Sequence, residues 1–295
     1  MTVHFTQVTI VGVGLIGGSM GMILKSQGLA DRVIGVGRSL GNLDLAVRLG
    51  AIDAYERDPK AAMPGAELVI LATPVESFAG HLKEWGSVLD PGTIVSDVGS
   101  VKGSLVEQAE SLVPAGVHFV GAHPIAGKET SGVGDGSADL FTGALCLITP
   151  TGNTDPQAVL TVQRVWEAMG SVVRTIDPFE HDWILGAVSH LPHVAAFALM
   201  NALTDLEQRG GAAGHNDRCS LLEYSGGGLR DTTRIAASSP EIWRTIFLSN
   251  RENLLVLIES LEKHLQHFKA LIEAKDGPGL EHEIGKAREA RQRLK

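Results

Sequence analysis

Val8-Thr9-Ile10-Val11-Gly12-Val13-Gly14-Leu15-Ile16-Gly17-Gly18-Ser19 is the stretch on which the fold turns. A β-branched run leads straight into Gly-x-Gly-x-x-Gly and then into residues of helical character, so the motif stands between a strand and a helix, the context that gives it meaning. Gly12 permits the tight turn, Gly14 lets the backbone approach a pyrophosphate, and Gly17 lets the helix pack closely on the strand. The helix N-terminus offers free N–H donors to phosphate oxygens. With Leu15 and Ile16 between the glycines, this segment is the expected cradle for a dinucleotide.

About 20 residues further on, a site selective for NAD presents an acid to the ribose 2′-hydroxyl. Here Gly35-Val36-Gly37-Arg38-Ser39 carries none. Arg38 and Ser39 can instead meet a 2′-phosphate, and a guanidinium pairs well with phosphate. The expectation leans to NADP over NAD, while an Arg38 that only stacks on the adenine would suit either cofactor.

Outward from the glycine turn, β-branched runs recur at Val33–Val36, Leu68–Ala72, Thr93–Ser96, His118–Val120, Leu145–Ile148 and Val172–Ile176, with helical segments between them. Alternation of this kind predicts βαβ units around a predominantly parallel sheet, an α/β domain over 1–176. Asp155-Pro156 reads as an N-cap and first-turn proline, with Gly170 closing that helix. After Ile176 the texture changes. Asp177-Pro178-Phe179-Glu180 opens a helix and no convincing strand follows, so 177–295 is expected to be an all-α domain. Ser239-Pro240-Glu241 starts a long helix on which Leu254, Leu257, Ile258, Leu261, Leu265, Phe268 and Ile272 form one apolar stripe, which needs a partner either inside its own subunit or, the favoured reading, on a second copy of the chain.

Composition removes several classes. The chain has 295 residues, 44% hydrophobic and 20% charged, which is globular, and a net charge of −9 argues against nucleic acid. Cys146 and Cys219 make no disulfide framework, and no secretory leader is visible, so a cytoplasmic protein is expected. Ile184 to Leu203 is long enough to span a bilayer, but it contains Ser189, His190, Pro192, His193 and Asn201, so it is read as a buried helix of a soluble protein and no membrane partner is expected. His190 and His193 lack a third ligand at suitable spacing, so no metal site is predicted.

Polar groups concentrate in Ser96-Asp97-Val98-Gly99-Ser100-Val101-Lys102, in Gly121-Ala122-His123-Pro124-Ile125-Ala126-Gly127-Lys128-Glu129-Thr130-Ser131-Gly132, in Ser189-His190-Leu191-Pro192-His193, and in Arg230-Asp231-Thr232-Thr233-Arg234. The first two follow strands, at the carboxyl edge where open α/β sheets bind ligands. A histidine there suits a general base, because an imidazole titrates near neutrality.

Together with the glycine turn, these motifs in this order resemble the prephenate/arogenate dehydrogenases of tyrosine biosynthesis over nearly the whole chain. The resemblance implies a Rossmann-type domain followed by a helical dimerisation domain, hence a homodimer. It also implies oxidative decarboxylation of prephenate to 4-hydroxyphenylpyruvate, or of arogenate to tyrosine, with NAD or NADP as acceptor. By the same resemblance His123 is the catalytic base, and Ser100 bonds the substrate hydroxyl, His123 and the cofactor side. His193 lines the substrate pocket, Arg234 receives a carboxylate, Asp182 supports an ionic network and Thr73 touches the cofactor.

Lys128 stands where many relatives carry a small hydroxyl residue. A cation there would favour the keto-acid side chain of prephenate over the ammonium of arogenate. His190 and Trp243 read as core, although the family places an aromatic of the second segment near the pocket. Two rival classes use the same glycine turn. A β-hydroxyacid dehydrogenase would carry a lysine on the central helix, where this chain has none, and a non-catalytic NADP sensor has no need of His123, Ser100 and Arg234 together.

Overall fold

The β-branched runs become β1 (Phe5–Val11), β2 (Ala30–Val36), β3 (Ala54–Glu56), β4 (Leu68–Leu71), β5 (Ile94–Asp97), β6 (His118–Pro124), β7 (Leu145–Thr149) and β8 (Val172–Thr175) in the computed structural model, which describes residues 3–127, 132–208 and 221–294. β3 is an addition to the sequence expectation: Ala54-Tyr55-Glu56 is too short to show a period. All eight strands form one sheet in the order β3-β2-β1-β4-β5-β6-β7-β8. Every pairing is parallel except β6 with β7. The strand order reverses between β1 and β4, which opens a crevice at their carboxyl ends.

Helices α1 (Leu15–Ser26), α2 (Leu40–Arg48), α3 (Pro59–Ala62), α4 (Phe78–Trp85), α5 (Gly103–Leu112) and α6 (Pro156–Ala168) cover the sheet. Residues alternate between its faces, so β1 sends Ile10 into one buried cluster with Met20, Ile23 and Trp166, and Val11 into another with Leu71, Phe78 and Trp85. Each such fully buried side chain contributes about 1.5–3 kcal/mol. Asp155 accepts from Ala158 N–H, and Gly170 takes φ +91 at the end of α6, as the sequence signals require.

β6 continues beyond the predicted Val120, because Gly121 to Pro124 pair with Thr149 to Cys146 of β7. His123 therefore stands in a strand rather than on the loop after one.

After β8 the described residues hold helices and turns alone. Asp177 accepts from Phe179 N–H and Glu180 N–H and opens α7 (Pro178–Leu185), which runs through a π-helical turn at Gly186–His190 into α8 (Leu191–Gln208). The wide turn precedes Pro192, whose missing N–H interrupts the ladder, and the His193 Nδ1–H donates to the Ser189 carbonyl at 2.9 Å. Then come α9 (Gly227–Thr233), a 3₁₀ turn at Arg234–Ala237, α10 (Pro240–Ser249), α11 (Arg251–Glu273) and α12 (Gly277–Gln292).

Two expectations are corrected here. The long helix from Ser239 is broken at Asn250, which is buried and donates its Nδ2 to the Asp182 carbonyl at 2.7 Å and to His190 Nδ1 at 3.0 Å. Tertiary hydrogen bonds thus override a pattern that reads as one helix. Ile184 to Leu203 is not a buried helix within the single chain either: α8 buries Ala196 alone, and Val188 is 68% exposed. Its apolar character faces outward, as does the far end of the α11 stripe, where Leu265 and Ile272 are exposed while Leu254 and Leu257 are buried.

Candidate active site

The glycine turn is held by its own geometry. Gly12 has φ +100, and a Cβ there would lie 2.5 Å from the Ala72 carbonyl oxygen and 2.9 Å from Thr73 Cγ2. A Cβ on Gly17 would lie 2.2 Å from the Gly12 carbonyl oxygen, whereas one on Gly14 would meet nothing. Open space at Gly14 lies beside a helix start with no side-chain cap, where the N–H groups of Leu15, Ile16 and Gly17 have no acceptor within the helix. This is the shape and polarity a pyrophosphate needs. Asn42 braces the turn by donating to the Val13 carbonyl at 2.6 Å.

Thr73, at the end of β4, packs beside Gly12 and shares a 2.7 Å hydrogen bond with Ser77. Arg38 is exposed at the end of β2, while the Ser39 hydroxyl accepts from Asn42 N–H as the N-cap of α2. Ser39 therefore serves a cap whatever else it touches.

On the adjoining strands, Ser100 sits half-buried on the turn after β5, and His123 is buried near the end of β6 with 9% of its surface accessible. Beneath them lies a fully buried ion pair. Lys102 Nζ donates to Asp97 Oδ2 at 2.7 Å and to the Gly99 carbonyl at 2.5 Å. Asp97 in turn accepts from Gly99 N–H at 2.8 Å and from Ala122 N–H at 3.0 Å. One carboxylate thus ties the Ser100 turn to the residue before His123.

His123 Nδ1 lies 2.9 Å from His181 Nε2, His181 Nδ1 lies 2.8 Å from Asp182 Oδ1, and Asp182 Oδ1 also accepts from Lys102 N–H at 2.7 Å. Burial holds His123 well below its ordinary pKa, and the Lys102 charge, His181 and His190 press the same way. Burial also lowers His181, against the pull of Asp182, and takes His190 to about 4. These imidazoles are neutral at pH 7.

His193, in the first turn of α8, stacks on Trp243 with ring centroids 3.5 Å apart. Burial lowers its pKa, opposed by the bond to Ser189 and aided by the charge of nearby Arg234. Trp243 is therefore an aromatic wall for His193 as well as a core residue, packed also on Phe247 at 5.4 Å. His190 is buried against Asn250. Lys128 lies outside the described residues.

The structure thus gathers Gly12, Gly14, Gly17, Thr73, Ser100 and His123 along the carboxyl edge, and joins Asp182 to His123 through a ring that sequence reasoning missed. His181 lies 58 residues from His123, and spacing gave no signal for that contact. The Lys102–Asp97 pair did leave one: opposite charges five residues apart in an otherwise apolar and glycine-rich stretch.

Residues 20–175 match the family model for the prephenate dehydrogenase nucleotide-binding domain, and residues 177–286 match that for the prephenate dehydrogenase dimerization domain. The chain is 32% identical to the cyclohexadienyl dehydrogenase of Zymomonas mobilis, across 100% of this chain and 98% of that protein. It is 32% identical to the prephenate dehydrogenase of Bacillus subtilis, across 92% of this chain and 72% of that protein. The crystal structure of Aquifex aeolicus prephenate dehydrogenase, in complex with hydroxyphenyl propionate and NAD+, superposes with a TM-score of 0.90 at 36% identity, covering 100% of both chains. Synechocystis arogenate dehydrogenase superposes with a TM-score of 0.80 at 28% identity, covering 98% of this chain and 100% of that one. With a dinucleotide cradle, a mostly parallel sheet, a following helical dimerisation domain and matches of this extent, the chain belongs to the prephenate dehydrogenase family.

Proposed function

We propose that this protein is an NAD(P)-dependent prephenate dehydrogenase, oxidatively decarboxylating prephenate to 4-hydroxyphenylpyruvate. The observation that carries the reading is His123, a buried neutral imidazole on the same sheet edge as the glycine cradle and the Ser100 turn. A nicotinamide bound at that cradle supplies the hydride acceptor.

His123 accepts the proton of the ring hydroxyl as hydride leaves the same carbon, and Ser100 holds that hydroxyl and the base in line. Arg234 pairs with a substrate carboxylate, and His193, fixed against Trp243, lines the pocket beside it. Departure of CO2 leaves an aromatic ring, so the substrate supplies much of the driving force and the protein's task is to orient and to accept a proton. Asp182 acts behind His123. Residues 1–176 carry the cofactor and 177–295 the dimer contact, with the exposed apolar faces of α8 and α11 meeting those of a second copy in a cytoplasmic homodimer.

The test is direct. Purified protein mixed with prephenate and NADP or NAD gains reduced-nicotinamide absorbance, with arogenate as the comparison substrate. No gain with either substrate and either cofactor refutes the assignment.

Arg38 is the group that favours NADP in this reading, since no acid stands at the end of β2 to hold a ribose 2′-hydroxyl. Arg38→Ala is expected to raise KM for NADP about 10- to 30-fold, the loss of one charge-assisted contact, while KM for NAD stays within about twofold. Equal changes for the two cofactors would assign Arg38 to adenine stacking alone.

A further inference from the structure

We infer that His181 is a positioning residue that fixes the proton of His123 on Nδ1, leaving Nε2 as the lone pair that takes the substrate's proton. The inference rests on His123 being the base, and it follows from counting donors along a chain of three groups.

An ionised carboxylate only accepts hydrogen bonds. Asp182 Oδ1 already takes one from Lys102 N–H at 2.7 Å, so across the 2.8 Å contact His181 Nδ1 must be the donor. A neutral imidazole carries one proton, which leaves His181 Nε2 an acceptor. The only donor that can fill the 2.9 Å contact is then Nδ1–H of His123. His123 Nε2 is left bare. Without this chain the two tautomers of a neutral imidazole compete, and one of them presents the wrong face to the substrate.

The surroundings keep this order. His181 and His123 are both buried, so water does not exchange the roles of their nitrogens. Lys102 and His190 face His123, while Asp97, Asp182 and Lys102 face His181; the lysine ammonium disfavours charge on either ring, and the two carboxylates oppose it. Burial dominates, so both rings start neutral. When Nε2 captures the hydroxyl proton, Nδ1–H becomes the donor of a charged hydrogen bond to His181, with Asp182 one ring behind it. The bond made is N–H on Nε2 and the bond broken is the substrate O–H. After CO2 leaves, the same proton returns to the phenolate oxygen, and none passes through His181. Asp182 is itself anchored, since Asn250 donates to its carbonyl at 2.7 Å, so the dyad keeps its place without substrate.

Two measurements decide the matter. In wild-type enzyme with 15N-labelled histidine at pH 7, His123, identified by its absence in His123→Asn, is expected to show the Nδ1–H tautomer. The Nε2–H tautomer would overturn the inference, and this arm requires no variant of His181. In kinetics, His181→Leu is expected to lower kcat about 100-fold, with KM for NADP within about threefold. His181→Gln, whose amide oxygen can accept from His123 Nδ1–H but cannot be protonated, is expected to recover at least about tenfold of that loss. A folded His181→Leu enzyme with kcat within about threefold of wild type would overturn the role of His181 while leaving the proposed reaction intact. Wild-type enzyme inert toward both substrates would remove the reaction itself, and the tautomer measurement would still read the hydrogen-bond chain.

Discussion

Replacing His123 with Asn is expected to lower kcat by about 10³-fold while cofactor affinity stays within about twofold. A positioned general base is worth roughly 10²- to 10⁴-fold, and His123 is the buried imidazole at the carboxyl edge beside Ser100. Asn retains an N–H donor that can reach His181 Nε2, so the fold is conserved while the lone pair of Nε2 is lost. Rapid-mixing assays at saturating prephenate, with cofactor titrated by fluorescence, separate the two quantities. Retention of more than a tenth of wild-type kcat would assign the proton transfer elsewhere.

The wild-type pH profile carries the same argument with a defined sign. The base works when neutral, and burial depresses its pKa, so kcat/KM is expected to stay level as pH falls through 6.5 and to drop only at the lower, folded value. Stability falls in the same direction but from a higher pH. His123, His181 and His190 are neutral when folded and take up protons in the unfolded chain below about 6.5. Stability is therefore full above that pH and lost as pH falls toward the folded values, about 4 for His190, at up to about 1.4 kcal/mol per pH unit for each group. Denaturant titrations from pH 7 to pH 4.5 would show it; stability unchanged over that range would mean that the rings are charged or exposed.

Lys102→Met is expected to be the most destabilising single change at the site, by about 3–5 kcal/mol, because it strands the Asp97 carboxylate in a fully buried place. Asp97 would keep its two backbone donors, Gly99 and Ala122, but lose the lysine counter-charge bonded to it. Adding Asp97→Asn removes the stranded charge and keeps a carbonyl oxygen for one of those donors, so the double variant should regain about half of the loss. Urea melts of the single and double variants measure both. A Lys102→Met protein within about 1 kcal/mol of wild type would show that water reaches the pair.

What the sequence discloses follows from which forces are local. The glycine turn is legible because positive φ at Gly12 and the Cβ-free approach at Gly17 are demands on single residues. Asp155 and Asp177 are legible because a cap bonds two or three positions away. The break at Asn250 is not legible, since its partners Asp182 and His190 lie 68 and 60 residues distant and nothing in its neighbourhood announces them. The same holds for His181. The outward apolar face of α8 misleads in another way: hydrophobicity alone does not tell a face buried within the chain from one left exposed on it. The Tyr-centred β3 is too short to declare itself, and it gains its place only from β2 beside it.

The antiparallel turn of β7 against the end of β6 has a consequence for motion. Loops open and close over nanoseconds to microseconds, but a residue inside a paired strand moves only with its sheet. His123 rides on β6, in register with Leu147, whereas His181 rides on α7. Any rocking of the helical half against the sheet would stretch the 2.9 Å nitrogen-to-nitrogen contact together with the Lys102 N–H bond to Asp182. That contact is a gauge of closure: the two halves must be seated together for the imidazole pair to be in register, and amide exchange along α7 would run faster than along β6 wherever they part.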